Sequence, residues 1–503
     1  MSELNEQEKI RRGSLLKLKE LGINPFPAEE FIINTNSVEI KENFSEKENN
    51  FQNVILAGRI MSRRIMGKAS FAEIKDFKGR IQLYLNRDEI CPGEDKKMYN
   101  DVFKKCLDIG DIIGVEGSIF KTKVGETSVM VKKIKVLSKS IKPLPIVKTD
   151  SDGNTYDAFK NTELRYRQRS LDLIVNDGAW NVFEKRTMIF NSIRKALNKE
   201  GYIEVETPIL QPIVGGAAAR PFTTHHNTLD IPLYLRIANE LYLKRLIVGG
   251  KEGVYEFAKD FRNEGMDKTH NPEFTMLEFY VAYKDYNWMM GFVENMFEKV
   301  VLEVCGKTQI EYNGTKIDFK GPYKKITFFE AIKKETGDDI SKMTELELVK
   351  YCKSKNIDID KTMGRGKLFD AVFGEFCEPK LIQPTYITNY PIEMSPLTKK
   401  HRTEEGLTER FELFINGKEI ANAYSEQNNP IEQRKSFEEQ MKLGKRGDDE
   451  AMIIDNQFLT ALEYGMPPTS GIGIGMDRLT MLLTNKTSIQ DVLFFPQMKP
   501  EKK

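Results

Sequence analysis

Three short stretches of this chain hold carboxylates, arginines and glycines at spacings that could do chemistry. The first, YEFAKDFRNEGMDKTHNPEFTMLEFYVAY, runs from residue 255 to 283. Period-two alternation places Glu256, Ala258, Asp260 and Arg262 on one face of a strand. A loop with Gly265, Asn271 and Pro272 follows, and the returning strand puts Phe274, Met276, Glu278 and Tyr280 on one face. Glu278 therefore points into an apolar, aromatic surface. An unpaired buried carboxylate costs several kcal/mol, so Glu278 requires a cation or hydrogen-bond donor, from a neighbouring strand or from a ligand.

The second stretch, RFELFINGKEIANAYSEQ (410–427), carries Asn416-Gly417 between alternating residues, a strong hairpin signal. A two-residue turn pairs Ile415 with Lys418 and Phe414 with Glu419, which puts Glu412 and Glu419 on one face, one diagonal apart. Two such carboxylates need a cation, and hard oxygen ligands suit magnesium bridging to phosphates. Strict alternation sends Asn422, Tyr424 and Glu426 to the opposite face, so a shared pocket demands a bulge near Ala421. In the third stretch, TSGIGIGMDRLTMLLT (469–484), Gly471, Gly473 and Gly475 leave one strand face bare for a ligand. Arg478 falls in the first turn of the following helix, where a cation opposes the helix dipole unless an anion such as phosphate lies nearby.

These stretches need a framework. Residues 1 to about 24 read as a helix stopped by Gly22 and Asn24-Pro25, and Glu39 to Asn50 as a solvated linker. Between Val54 and Leu137 the texture changes to short strands with turn signals, which predicts a small barrel of oligonucleotide-binding type, with a helix between Lys96 and Leu107. On it Arg64, Phe71 and Gln82 suit single-stranded bases, and eight lysines with one acidic residue between Lys121 and Lys148 suit a phosphate backbone. The alternative is that Phe71 is core and the lysines are a solvated edge. After the prolines at 143 and 145, Trp180–Lys199 reads as an amphipathic helix and Glu240–Val248 as a shorter one. Asp285–Cys305 is a third helix, and a lysine-rich helical insertion spans about 326–380.

The 503 residues leave room for two or three domains, and 76 basic against 75 acidic side chains exclude a global field for polyanions. Five cysteines without CxxC spacing argue for free thiols and against a zinc site. A polar start and the lack of any long apolar run indicate neither secretion nor membrane insertion, which makes the cytoplasm the expected location.

Together FRNEG and HNPEFTMLE resemble the second signature motif of the class II aminoacyl-tRNA synthetases, GIGIGMDR resembles the third, and the stretch from Trp180 through Thr207-Pro208 the first. The chain is most similar to the lysyl branch. The resemblance implies an α+β protein in which a five-stranded oligonucleotide-binding barrel (51–142) follows an N-terminal helix and linker (1–50). An antiparallel-sheet catalytic domain (143–503) comes after the barrel. It implies ATP contacts from Arg262, Glu264, His270, Asn271, Phe274, Glu412, Glu419 and Arg478, with Arg262 and Arg478 catalytic and Glu412 and Glu419 holding Mg2+. L-lysine would meet Gly216, Glu240, Glu278, Tyr280, Asn422, Tyr424, Glu426 and Gly473, an excess of negative charge that matches two ammonium groups. The resemblance further implies anticodon reading of tRNA(Lys) by Arg64, Phe71 and Gln82, and a homodimer. Asn239 departs from the pattern, standing where proline is frequent.

Overall fold

Alternating apolar residues between Val54 and Ser138 close into a barrel in the computed structural model, which describes residues 4–145, 148–149, 155–156, 159–445 and 452–501. The strands are β1 (Val54–Met66), β2 (Ala69–Lys75), β3 (Arg80–Asn86), β4 (Ile112–Lys121) and β5 (Thr127–Ser138), in the order β1-β2-β3-β5-β4 with β4 back against β1. Leu56, Ile60, Ala72, Ile74, Leu83, Val115 and Val131 alternate inward and are buried, which leaves Phe71, Gln82 and Tyr84 on the outer face. A β2–β3 turn forms where expected, because the Asp76 carboxylate accepts from the backbone of Lys78 and Gly79 at 2.8 Å each. The helix between β3 and β4 is of π type, Met98–Cys106, and buries Tyr99, Val102 and Phe103.

The N-terminal helix α1 (Glu6–Glu20) starts at a capping box of Asn5 and Glu8 and buries Leu18 in the barrel core. The stretch expected as a solvated linker is partly helical. Asn36 caps a helix over Ser37–Asn43, and its one apolar anchor, Ile40, is fully buried in the same core. Three charged residues around one buried isoleucine carry too little periodicity to show this from sequence.

The second compact unit, Asn161–Lys503, is built on an eight-stranded sheet. Its strands are β6 (Ile203–Glu204), β7 (Gly253–Phe261), β8 (Glu273–Ala282), β9 (Lys324–Thr327), β10 (Thr385–Thr388), β11 (Arg410–Ile415), β12 (Lys418–Ser425) and β13 (Thr469–Gly475). They lie in the order β9-β10-β11-β12-β13-β8-β7-β6, antiparallel throughout except for the parallel edge pairs β9–β10 and β6–β7. One face packs on α2 (Ala179–Lys199) and α4 (Tyr286–Cys305) around Phe279, Phe411, Leu413, Ile472 and Ile474. The other face carries polar side chains, at one end beside α3 (Glu240–Val248).

The helical stretch 326–380 connects the parallel neighbours β9 and β10. Parallel strands cannot be joined by a tight turn, so a crossover with its own apolar core, centred on Phe328, Phe369 and Phe373, is what the topology requires.

Candidate active site

The strand registers align the candidate residues in rows across the polar face. Glu256 pairs with Glu278, Glu278 with Gly473, Gly473 with Asn422, and Asn422 with Glu412. One step along, Val254, Tyr280, Gly471, Tyr424 and Arg410 form the adjacent row. The β11–β12 register shifts after Phe414 pairs with Glu419, so that Leu413 meets Ala421 and Ile420 is the extra residue. That bulge, next to the position the spacing demanded, brings Glu412, Glu419, Asn422 and Tyr424 to one face. The glycine strand β13 is the floor. A Cβ on Gly473 would find the Met276 methyl at 3.0 Å and the Glu278 stem and carboxylate at 3.8 and 4.0 Å, whereas one on Gly471 would overlap the Glu426 carboxylate and the Tyr280 ring.

At the α3 end of these rows three carboxylates converge, Glu240, Glu278 and Glu426, at 5%, 6% and 2% exposure. Lys244, with a fully buried side chain, pairs with both Glu240 and Glu426. The Tyr424 hydroxyl donates to Glu240 at 2.6 Å and the Tyr280 hydroxyl to Glu278 at 2.9 Å. Among the described residues Glu278 has no ion-pair partner, and its neighbour across the strand is another carboxylate. An interstrand salt bridge is therefore absent here. Burial, and then the charges of Glu240 and Asp260, holds the Glu278 carboxyl well above the usual range. Burial likewise pushes Glu426 up to about 8, against the pull of Lys244. Burial alone would lower Lys244, but Glu240 and Glu426 keep it above its ordinary value. Gly216, at φ 88°, approaches the start of α3, where its Cβ position lies 3.4 Å from that of Glu240.

Arg236 braces the next layer. Its guanidinium pairs with Glu256 at 2.8 Å and Asp260 at 3.2 Å and donates to the Thr207 carbonyl. Glu256 also accepts from Asn239 at 2.8 Å and from Thr207 at 2.7 Å, so Asn239 is a buried tether that ties the start of α3 to β7.

At the opposite end Arg262 follows β7, with its guanidinium 5.0 Å from the centre of the Phe274 ring and its Nε buried without a partner. Glu264 is exposed in the loop. His270 bonds Asp267 at 2.9 Å, and its Nε2 lies 3.3 Å from Arg478 Nη2. Arg478 donates to the Glu419 carbonyl at 2.8 Å and pairs with its carboxylate at 3.5 Å. The Asn271 amide is engaged by the Glu273 carbonyl at 2.6 Å and the Gln497 backbone at 3.3 Å. Glu412 accepts from Tyr390 at 2.8 Å, pairs with Arg410 and receives a long contact, 3.4 Å, from Asn422. Burial pushes Glu412 up to about 7, opposed by Arg410 and reinforced by Glu419.

On the barrel, Arg64 pairs with Phe71 and Phe71 with Tyr84, whose rings are 5.2 Å apart, and Phe120 continues the aromatic row at 5.8 Å. Gln82 sits between Glu73 and Ser128. Phe71 is thus outside the barrel core. The lysine tract is less free than its composition implied: Lys139 is fully buried between Asp108 and Asp111, at 2.6 and 2.8 Å, and Lys133 pairs with Glu116 at 2.7 Å.

Lys244, Arg236, Arg410, Tyr390 and Tyr84 went unnoticed in the sequence. Only for Lys244 was there a signal: its i, i+4 spacing from Glu240 puts both on one helix face.

The sequence profile described as tRNA synthetases class II (D, K and N) matches residues 161–499, and one described as OB-fold nucleic acid binding domain matches 54–137. The chain belongs to the class II tRNA synthetases. It is 64% identical over 501 residues to a lysine–tRNA ligase of Porphyromonas gingivalis (strain ATCC BAA-308 / W83), covering 99% of this chain and 86% of the relative. A lysine–tRNA ligase of Christiangramia forsetii is 63% identical over 503 residues, covering 100% and 88%. One of Azobacteroides pseudotrichonymphae is 60% identical over 499 residues, covering 99% of each. Within the class, this chain falls among the lysine–tRNA ligases.

Proposed function

We propose that this chain couples ATP to the attachment of L-lysine to tRNA(Lys), with residues 51–142 reading the anticodon and 143–503 carrying the chemistry. The observation that carries the amino-acid assignment is Glu278, a buried carboxylate with a tyrosine hydroxyl but, among the described residues, no ion-pair partner. A substrate ammonium supplies the missing charge. Glu240 takes the α-ammonium, Glu278 and Glu426 the side-chain ammonium, Tyr280 and Tyr424 orient those carboxylates, and Asn422 and the backbone at Gly216 and Gly473 border the substrate.

Arg262 neutralises the α-phosphate of ATP, Phe274 packs against adenine, and Asn271 meets its edge. Glu264 and His270 face the ribose-phosphate end, and Arg478 holds the γ-phosphate. The lysine carboxylate oxygen attacks the α-phosphorus, forming the lysyl-adenylate as the bond to diphosphate breaks. A hydroxyl of the terminal tRNA ribose then attacks the anhydride carbonyl and AMP leaves. Positioning and charge neutralisation, with little acid–base work, lower the barrier.

The donor set at Glu412 and Glu419 fits Mg2+. Burial, reinforced by the Glu419 charge, raises Glu412, the Asn422 Oδ1 beside it is buried without a partner among the described residues, and two carboxylates leave room for phosphate oxygens to complete the shell. Bound there, Mg2+ supplies positive charge to the ATP phosphates. No helix among the described residues is long and apolar enough to cross a membrane. A homodimer working in the cytoplasm completes the proposal.

Amino-acid-dependent pyrophosphate exchange tests it. Exchange with lysine and none with aspartate or asparagine is expected; the reverse pattern would refute the pocket assignment.

A further inference from the structure

The charge of the amino-acid pocket is balanced by one residue of the protein itself. Lys244 lies one turn after Glu240 on α3, among Leu241, Leu243 and Ile247 of an apolar cluster. Its ammonium pairs with one oxygen of Glu240 and one of Glu426, and stands 5.4 Å from the Tyr424 ring and 5.8 Å from the Phe458 ring. From β8, Glu278 and Tyr280 face the same cluster of charge. A buried ion pair is at best neutral for stability against a well-packed apolar pair. A leucine or methionine would suit the apolar surroundings of position 244, so the ammonium calls for another explanation.

Counting charges supplies one. With all three carboxylates ionised against a bound substrate, they and the one ammonium leave two negative charges in the pocket, and L-lysine brings two ammonium groups, its own carboxylate being turned toward the α-phosphate. We propose that Lys244 is a built-in counter-ion and positioning residue that sets the pocket to accept a doubly cationic amino acid. It grips one oxygen of Glu240 and one of Glu426, which leaves the second oxygen of each for the substrate. Burial already raises Glu278 and Glu426 against the pull of Lys244; without that ammonium the three carboxyls would hold their protons more tightly still. A protonated carboxyl, unlike a carboxylate, no longer attracts an ammonium. This inference rests on the lysine assignment above.

The test is a charge-balance series in lysine-dependent pyrophosphate exchange, read as separate KM values for lysine and ATP on the full chain. Glu426→Gln leaves one net negative charge and raises the lysine KM about tenfold or more. Lys244→Met/Glu426→Gln restores two negative charges, and its lysine KM falls below that of Glu426→Gln, with the ATP KM unchanged in both. If Lys244 were only a structural brace, the two losses would add and the double variant would be the worse one, which overturns the proposal. Lys244→Met alone raises the lysine KM about tenfold without moving that for ATP; parallel rises in both would likewise overturn it. Should that variant fail to fold, the comparison of Glu426→Gln with the double variant still decides, because neither leaves three carboxylates without a counter-ion. A wild-type protein that activates no lysine refutes the parent assignment, whereas wild-type activity with the double variant worse than Glu426→Gln refutes the counter-ion role alone.

Discussion

Glu278 lies directly opposite Gly473 across the β8–β13 ladder, in a row that continues through Asn422 to Glu412. The absent side chain at Gly473 opens the space between the Glu278 carboxylate, which has no ion-pair partner among the described residues, and the carboxylates of Glu412 and Glu419. One row of strand pairs therefore spans the amino-acid end and the phosphate end of the pocket.

Glu278→Gln keeps the shape and removes the charge. Lysine activation should drop in kcat/KM by about a hundredfold or more, because the substrate ammonium loses its charged partner. The free variant should melt no lower than the wild type, since an unpaired buried carboxylate is a burden to the empty pocket. Pyrophosphate exchange and thermal melts with and without lysine check both halves.

Gly471→Ala should abolish lysine binding, measured by calorimetry, because its Cβ would collide with the Glu426 carboxylate and the Tyr280 ring. Gly473→Ala makes its one tight contact with a movable methionine methyl, the Glu278 side chain lying at ordinary contact distance, and should fold normally, so any loss of activity there comes from the filled floor.

Arg236 is the single cation pairing with Glu256 and Asp260 among the described residues, so Arg236→Met should destabilise the catalytic unit by about 3–5 kcal/mol in denaturant melts. Burial raises Asp260 from its ordinary 3.8 to about 6, against Arg236 and Arg262. The folded protein thus binds this proton more tightly than the unfolded chain does. Its contribution to stability is complete below about pH 3.8 and is lost as pH rises through about 6. Asp260→Asn should remove that slope and gain up to about 3 kcal/mol at pH 8.

Glu419→Gln should shift the magnesium titration of pyrophosphate exchange to higher concentration, since one of two hard ligands loses its charge and its pairing with Arg478. An unchanged titration would remove Glu419 from the metal site.

Phe71→Ala should lower tRNA charging by the loss of about 1–3 kcal/mol of base stacking while leaving pyrophosphate exchange untouched. A fall in both assays would show that the substitution damages more than the outer face of the barrel.

Local regularities were legible in the residues alone. Period two put Glu278, Phe274 and Tyr280 on one face, Asn416-Gly417 announced its hairpin, and the need to bring Asn422 beside Glu412 called for a bulge that the structure puts at Ile420. These follow from backbone geometry over a few residues, which any sequence displays. What only the tertiary structure decided is how charge is shared between distant segments. Glu240 and Glu426, 186 positions apart in the numbering, meet on one lysine because α3 packs on β7 and β8 of the same sheet whose β12 runs into Glu426. In the sequence Lys244 is one cation among 76 basic residues. Likewise Asn239 read as a departure from pattern until β7 placed Glu256 against it. Periodicity tells which way a side chain points, but a buried charge is defined by its partners, and those are chosen by the order of strands in the sheet.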